Sequence, residues 1–357
     1  MSDILNAAQA VADDAHKRIR VFSDIPADDV PLFGDTVHGA LLRACRNATD
    51  DERDAALRAL EPIVRTAGSY HVGIIAIVCG TLVEWGGNPA IVASALLDRL
   101  TEHVALATVA WLREDNETPE RLFERNAEAY GASRTIQFAL LATMAIVCRD
   151  IPARQYARAT PGLVDALEKL VSLEPFVPEA DFLLQVLALT DGMNLTILHP
   201  ETRRGYRVSL EAVGSNFHLF TLLQGALIGD PAQGFLPGTP ISAVTMAIAK
   251  GEVSPDEDTY DVARFQFYNW FALKPDGTID GANIASWIWG EGSPADIAPL
   301  DGERIVVLGE TVLAIRSWSG FFLNIHTALR SDVRVTAQLS DAEVTTYIDR
   351  IKAQKAP

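Results

Sequence analysis

The chain has 357 residues, 47 acidic against 30 basic side chains, a formal net charge of −17 and an apolar content of 48%. At roughly 100–200 residues per domain, this length holds two domains or one large one. Ordinary apolar content with 22% charge marks a folded globular chain rather than a disordered one. Residues 1–190 carry 17 basic and 27 acidic side chains, and residues 191–357 carry 13 and 20. Both halves therefore repel a sheath of phosphates, which argues against nucleic acid as a partner, and both attract a basic or amphipathic one.

Cys45, Cys79 and Cys148 form an odd, sparse set with no CxxC spacing, each among apolar neighbours. Buried inert thiols are expected rather than a disulfide framework or a zinc site. The opening Met1-Ser2-Asp3-Ile4 lacks the basic region and apolar core of a signal peptide. The most apolar runs, 72–83 and 136–147, are 12 residues each. A bilayer span needs about 20, so these read as core helices of a cytoplasmic protein with no membrane partner.

The first half reads as helices throughout. Ser2 can cap a helix with Leu5, Ala8, Ala12, Ala15, Ile19 and Phe22 on one stripe. Asp28 or Asp29 opens a second, with Val30, Phe33, Val37 and Leu41 on one face. Thr49-Asp50-Asp51-Glu52 is a capping box, and Gly68 a stop. Asn88, Thr118 and Thr160 each pair a capping side chain with proline at the first helical position. Helices are expected over 72–85, 89–113, 119–130, 133–147, 162–173 and 179–189. Their starts follow no fixed period, so an irregular bundle fits better than a solenoid. Segments 72–85 and 133–147, apolar nearly all round, belong at its centre.

From Asp191 the pattern changes to alternation and turns. Strands are expected at 195–198 and 205–210, with 200–204 as the hairpin loop, then a helix at 217–223 opened by Ser215 or Asn216. A helix at 241–250 follows, then a strand at 264–271 whose Phe265, Phe267 and Phe271 share one face. Strands at 304–308 and 311–315 and a helix at 341–353 complete the series. The expected fold is α+β: an all-helical domain, 1–190, followed by a smaller mixed α/β domain, 191–357.

No GxGxxG, GxxxxGK[ST], GxSxG, HExxH or calcium-loop pattern occurs. No two of the seven histidines lie three or four residues apart, so no helical metal pair exists, and neither metal nor cofactor is called for. His16, His38, His71 and His103 read as polar-face or hydrogen-bonded core residues of the helices.

The second half holds the candidate site. His199, Arg203, Arg204 and Arg207 concentrate positive charge in one hairpin of an acidic chain. Arg203 and Arg207 alternate in strand register, and paired guanidiniums suit a carboxylate or phosphate. Asn216 and His218 follow at a helix start, where free N–H groups favour an anion. Convergence of His199, Arg203, Asn216 and His218 would make His218 the proton-transfer group. Trp287 and Trp289 precede a loop carrying Glu291 and Asp296, an aromatic wall with carboxylates suited to a cationic or amine-bearing group.

The blocks 198–223, with His199-Pro200-Glu201 and Gly205-Tyr206-Arg207-Val208, and 289–297, with Trp289-Gly290-Glu291-Gly292-Ser293-Pro294-Ala295-Asp296-Ile297, resemble uncharacterised actinobacterial-type proteins. The resemblance covers a third of residues 191–357 and implies no activity. The first functional expectation is a non-catalytic accessory protein holding a basic or amphipathic peptide or protein in a groove between the domains. The alternative is an enzyme with His199 and His218 as acid–base groups, Arg203 and Arg207 binding an anionic group, and Glu291 orienting or protonating. A third is self-association as a homo-oligomer through 264–271 or 316–322.

Overall fold

Side-chain caps set where half of the described helices of the first half begin. In the computed structural model, which describes residues 2–25, 34–112, 117–174, 176–254, 260–311, 315–317 and 325–354, the chain forms two compact units, Met1–Leu187 and Ala188–Pro357. The first unit contains α1 (Ser2–Ala15), α2 (Val37–Cys45), α3 (Asp50–Thr66), α4 (Ser69–Glu84), α5 (Ala93–Trp111), α6 (Pro119–Arg125), α7 (Ala127–Val147), α8 (Ile151–Ala159), α9 (Leu163–Val171) and α10 (Pro178–Leu187). The Thr49/Glu52 capping box opens α3 as the sequence predicts, and Thr36 caps α2 by accepting the Gly39 N–H at 3.0 Å. The helix start expected at Asp28 or Asp29 lies outside the described residues.

Several boundaries differ from expectation: α1 ends at Ala15 rather than carrying Ile19 and Phe22, and α5 begins at Ala93, after a separate 3-10 turn at Pro89–Ile91. One helix was expected over 119–130 and the next over 133–147, but the break falls at Asn126, whose side chain accepts the Ala129 N–H and starts α7. Asp150, followed by Ile151 and Pro152, likewise caps α8, a helix the periodicity did not predict. In both places a single Asx side chain outweighs the apolar pattern by satisfying a helix-end donor.

The two most apolar helices, α4 and α7, pack together along small residues. A Cβ on Gly73 would lie 2.3 Å from Thr135 Oγ1, and one on Gly80 would lie 2.7 Å from Ala142 Cα. Both pairs are seven residues apart in each helix and advance in the same direction, so α4 and α7 run parallel. Cys45, Cys79 and Cys148 are buried, and burial pushes their thiols up to about 11, 12 and 12. Such thiols remain protonated and unreactive.

The second unit is a sheet covered on both faces. Its strands are β1 (Met193–His199), β2 (Arg204–Glu211), β3 (Tyr260–Val262), β4 (Gln266–Asn269), β5 (Pro299–Leu300), β6 (Glu303–Gly309), β7 (Ile315–Ser317) and β8 (Asp332–Gln338), with helices α11 (Asn216–Leu227), α12 (Ala243–Ala249) and α13 (Asp341–Ala353). The main sheet runs β4-β6-β1-β2-β8, with β5 also on β6, while β3 and β7 pair separately. β1 and β6 are parallel, with Ile197 opposite Val306, and the other pairings are antiparallel. Alternation divides the side chains. Leu195, Ile197, Tyr206 and Val208 pack under α11, whereas Leu198 and Ile305 pack under α13 with Val344, Tyr347 and Ile351. On the α13 side Glu303 accepts hydrogen bonds from Thr196 Oγ1 (2.9 Å) and Tyr347 Oη (2.6 Å), which fastens the helix to β1 and β6.

The aromatic strand is shorter than its sequence suggests. β4 stops at Asn269, opposite Val306, because the next residues of β6 on that edge pair with β5. Trp270–Ala272 turns into a single 3-10 turn, so Phe271 does not continue the face of Phe265 and Phe267. Those two rings are core, with Phe267 stacked on Phe220 at 4.1 Å, and the far edge of β4 is occupied where the Ile288 N–H donates to Phe267 O. Phe265 and Phe267 of the strand expected to self-associate are thus buried within the unit; residues 318–322 of the other candidate surface lie outside the described residues. Residues 315–317 pair with β3 rather than extending a hairpin with β6, and β8 was not anticipated. No described helix is long and apolar enough to cross a membrane.

The α4–α7 contact has a diagnostic sign. In an open helix Gly→Ala stabilises by about 1 kcal/mol; Gly80→Ala should instead destabilise by about 1–3 kcal/mol, since the methyl would meet the Ala142 backbone. Urea unfolding followed by far-UV circular dichroism reads the sign, and a raised midpoint would refute the contact.

Candidate functional site

The hairpin guanidiniums are spent on the fold rather than on a common ligand. Arg203 adopts φ of 55° in the β1–β2 turn and donates through Nη2 to Thr345 Oγ1 at 2.6 Å. Arg207 Nη2 lies 3.6 Å from Glu343 Oε1. The two side chains do reach in one direction, but what they meet is α13. Arg204 leaves the other way, to the Pro231 carbonyl at 2.9 Å.

His199 ends β1, buried edge-on against Phe265 with 5.3 Å between ring centroids. Thr202 supplies both its backbone N–H, at 3.4 Å, and its hydroxyl, at 2.7 Å, to Nδ1. Burial holds this imidazole below its ordinary pKa, with Glu201 opposing and Arg204 reinforcing the shift. β2 then carries the chain seven steps, about 23 Å, before α11 begins. His199 and His218 therefore sit at opposite ends of the hairpin, and the convergence of His199, Arg203, Asn216 and His218 on which a proton-transfer role for His218 depended does not occur.

The start of α11 has no donors left for an anion. The Asn216 N–H donates to Gly292 O and the Phe217 N–H to Gly290 O, each at 2.8 Å, while the His218 N–H donates to Ser215 Oγ at 3.3 Å. Asn216 Nδ2 donates to Trp289 O at 2.9 Å. The loop after the tryptophans is thus a strap over the helix end. A Cβ on Gly290 would sit 2.4 Å from the Phe217 ring, which explains glycine there. His218 is only 1% exposed. Its Nε2–H donates to Ala249 O at 2.6 Å and its Nδ1 accepts the Gly214 N–H at 3.3 Å, a neutral tautomer with both nitrogens engaged. Burial lowers it to about 4. It pins α11 to the end of α12 and has no path to a substrate.

Asp296 caps the short turn it belongs to, accepting the Ser293 N–H at 2.8 Å, and Glu291 is exposed. Trp287 and Trp289 do come together, with centroids 5.4 Å apart, Trp289 being 52% exposed. Trp287 donates from Nε1 to Gly281 O at 3.1 Å and meets Tyr268 edge-on. It acts as a buttress, and what it supports is a cleft the residue pattern had not disclosed.

That cleft, of 610 Å³, opens at the carboxyl ends of the parallel strands β1 and β6. Glu201 approaches from the β1–β2 turn, Glu310 from the end of β6, and Tyr268 and Ile279 form the wall between. Burial raises the Tyr268 phenol, and Glu310 adds to the rise. Gly309 is needed in the floor, because its Cβ would lie 2.7 Å from the Tyr268 ring and 2.8 Å from Ile279. Two carboxylates, a phenol and an apolar wall can hold a cation and contact its alkyl stem. Glu201 and Glu310 were visible as acids just past two predicted strands; the parallel pairing that brings them to one edge was not. No group of three or more metal-ligating side chains occurs among the described residues.

The His218 assignment predicts a pH effect. Between pH 6.5 and about 4 the unfolded imidazole takes up a proton that the native one refuses, so stability falls as pH falls, by up to about 1.4 kcal/mol per unit. Urea titrations at pH 6.5 and 5 should show a shallower decline for His218→Gln than for the unmodified chain; equal slopes would contradict a neutral buried imidazole. Compared with known proteins, the chain matches no family model, no curated protein and no solved structure.

Proposed function

We propose that this chain is a non-catalytic binding protein whose second unit accepts a basic side chain of a peptide or protein partner in the Glu201–Glu310 cleft. The observation that carries this reading is the placement of two carboxylates and Tyr268 around 610 Å³ at the ends of β1 and β6. That volume falls within the ~300–1,000 Å³ of pockets that hold small ligands, enough for one arginine or lysine with its neighbours. The surrounding charge, −17 over the chain, draws cationic partners in and speeds their encounter. Trp287 keeps Tyr268 and Gly281 in place behind the wall. The enzymatic alternative has less in its favour: His218 has both nitrogens engaged, Arg203 and Arg207 reach α13, and Glu291 is exposed.

The test is calorimetric titration with acetyl-Gly-Arg-Gly-Arg-Gly-amide and with its glutamate counterpart. The arginine peptide should bind and the acidic one should not. Affinity should weaken as salt is raised, since the pairing charges are solvent-accessible. Glu201→Gln with Glu310→Gln should weaken binding about tenfold or more and leave the unfolding midpoint near that of the unmodified chain. Equal affinity for the two peptides, or for the double variant, refutes the reading.

A further inference from the structure

The first unit contains a second, chemically opposite concavity. Immediately after α1 the sequence reads His16-Lys17-Arg18-Ile19-Arg20, the densest basic run in an acidic chain. This segment lies over two adjoining cavities of 550 Å³ each, which share Lys17, Arg18, Ile19, Tyr70 and His71. One of them is also lined by His38, Val37 and Ile74. Apolar wall and cationic rim therefore occur in the same space.

The acids around it already have partners. Asp14 accepts from Lys17 Nζ at 2.7 Å. Asp24 accepts the N–H groups of Arg20 and Val21, at 2.7 and 3.1 Å. Glu128 accepts both the N–H and the hydroxyl of Ser69, at 2.8 and 2.6 Å. Arg18, which lines both cavities, has no partner among the described residues. His16 is turned back on α1, its Nδ1 2.7 Å from the Ala12 carbonyl.

Two histidines complete the site. His38 and His71 are 6% and 9% exposed, and His71 stands edge-on to Tyr70 with 5.5 Å between centroids. His38 departs from the hydrogen-bonded core residue that the sequence suggests: its Nε2 is buried with no hydrogen-bond partner among the described residues. A buried polar atom left unpaired is costly, and native proteins retain few of them. Burial lowers both imidazoles. At His38 Asp14 opposes the shift and His71 reinforces it; at His71 Asp14 and Glu128 oppose it and Lys17 reinforces it.

We propose that this cavity binds a small organic anion, an oxyanion group on an apolar body, with Arg18 and His71 holding the charge and Val37, Tyr70 and Ile74 holding the body. An unpaired guanidinium provides the fork that carboxylate, sulfonate and phosphate oxygens fit. A bound anion stabilises the protonated form of the nearby histidines, so binding takes up protons and strengthens as pH falls. The site is separate from the acidic cleft and takes ligands of the opposite sign.

Benzenesulfonate is a suitable probe, because its charge is constant between pH 5.5 and 8 and any pH dependence belongs to the protein. Calorimetric titration should show binding about fivefold or more tighter at pH 5.5 than at pH 8. The histidine C2–H resonances should report an upward pKa shift of His71 on saturation. Arg18→Ala, at an exposed position, should weaken binding about tenfold at both pH values with an unchanged unfolding midpoint. His71→Gln should flatten the pH dependence while keeping the affinity seen at pH 8. Absence of saturation by about 10 mM probe, or binding indifferent to Arg18→Ala, would overturn the proposal.

Discussion

The second unit depends on how β6 distributes its edges. One edge is given wholly to β1, in parallel; the other is shared between β5 at its start and β4 toward its end. The parallel pairing is the decisive constraint. Two strands that run the same way bring their carboxyl ends to one side of the sheet, and the chain segments leaving them must diverge. The space between those segments is the acidic cleft. The shared edge explains the aromatic segment too: β5 displaces β4 after Asn269, and the backbone turns there instead of continuing as strand. Buried side chains then fix the register, because a slip of one residue would exchange the face under α11 for the face under α13.

Histidine burial takes two forms in this molecule, with different consequences. His218 is enclosed with a donor for one nitrogen and an acceptor for the other, so its environment is complete and it works as a polar rivet between α11 and α12. His103, in the first unit, is likewise buried, with its Nε2 3.3 Å from Thr135 Oγ1, and burial lowers it to about 4. His38 is enclosed without such completion. The first arrangement strengthens a fold. The second is a cost the fold carries, and costs of that kind gather where a ligand or a proton is handled.

Much of the architecture was legible because it follows from local rules. The α+β class, the Thr49 capping box, the β1–β2 hairpin and the central position of the two most apolar helices all rest on side chains acting within a few residues of themselves. The misplaced boundary at Asn126 and the overlooked α8 were also local, but there one capping side chain overrode an apolar pattern. The candidate site was far less legible. Grouping His199, Arg203, Asn216 and His218 required the hairpin to pack back on the start of α11, whereas β2 carries the chain the length of the sheet between them. Arg203 and Arg207 were correctly aligned with each other, but their target is α13, some 140 residues later in the chain. Glu201 and Glu310 come to line one cleft through a parallel pairing that no turn signal announces. Trp287 belongs to the right region in a different role, behind the wall rather than on it.

The small-residue seam between α4 and α7 also has a consequence for synthesis. Gly73 and Thr135 touch, yet about 60 residues separate them, and parallel helices cannot be joined by a tight turn. During translation at roughly 5–20 residues per second, α4 emerges apolar on all sides and then waits several seconds for the helix that will cover it. Only α2 and α3, already made, can pack on it meanwhile. Until α7 arrives the face of α4 that it covers stays open, which ties completion of the first unit to the pace at which residues 85–147 are made.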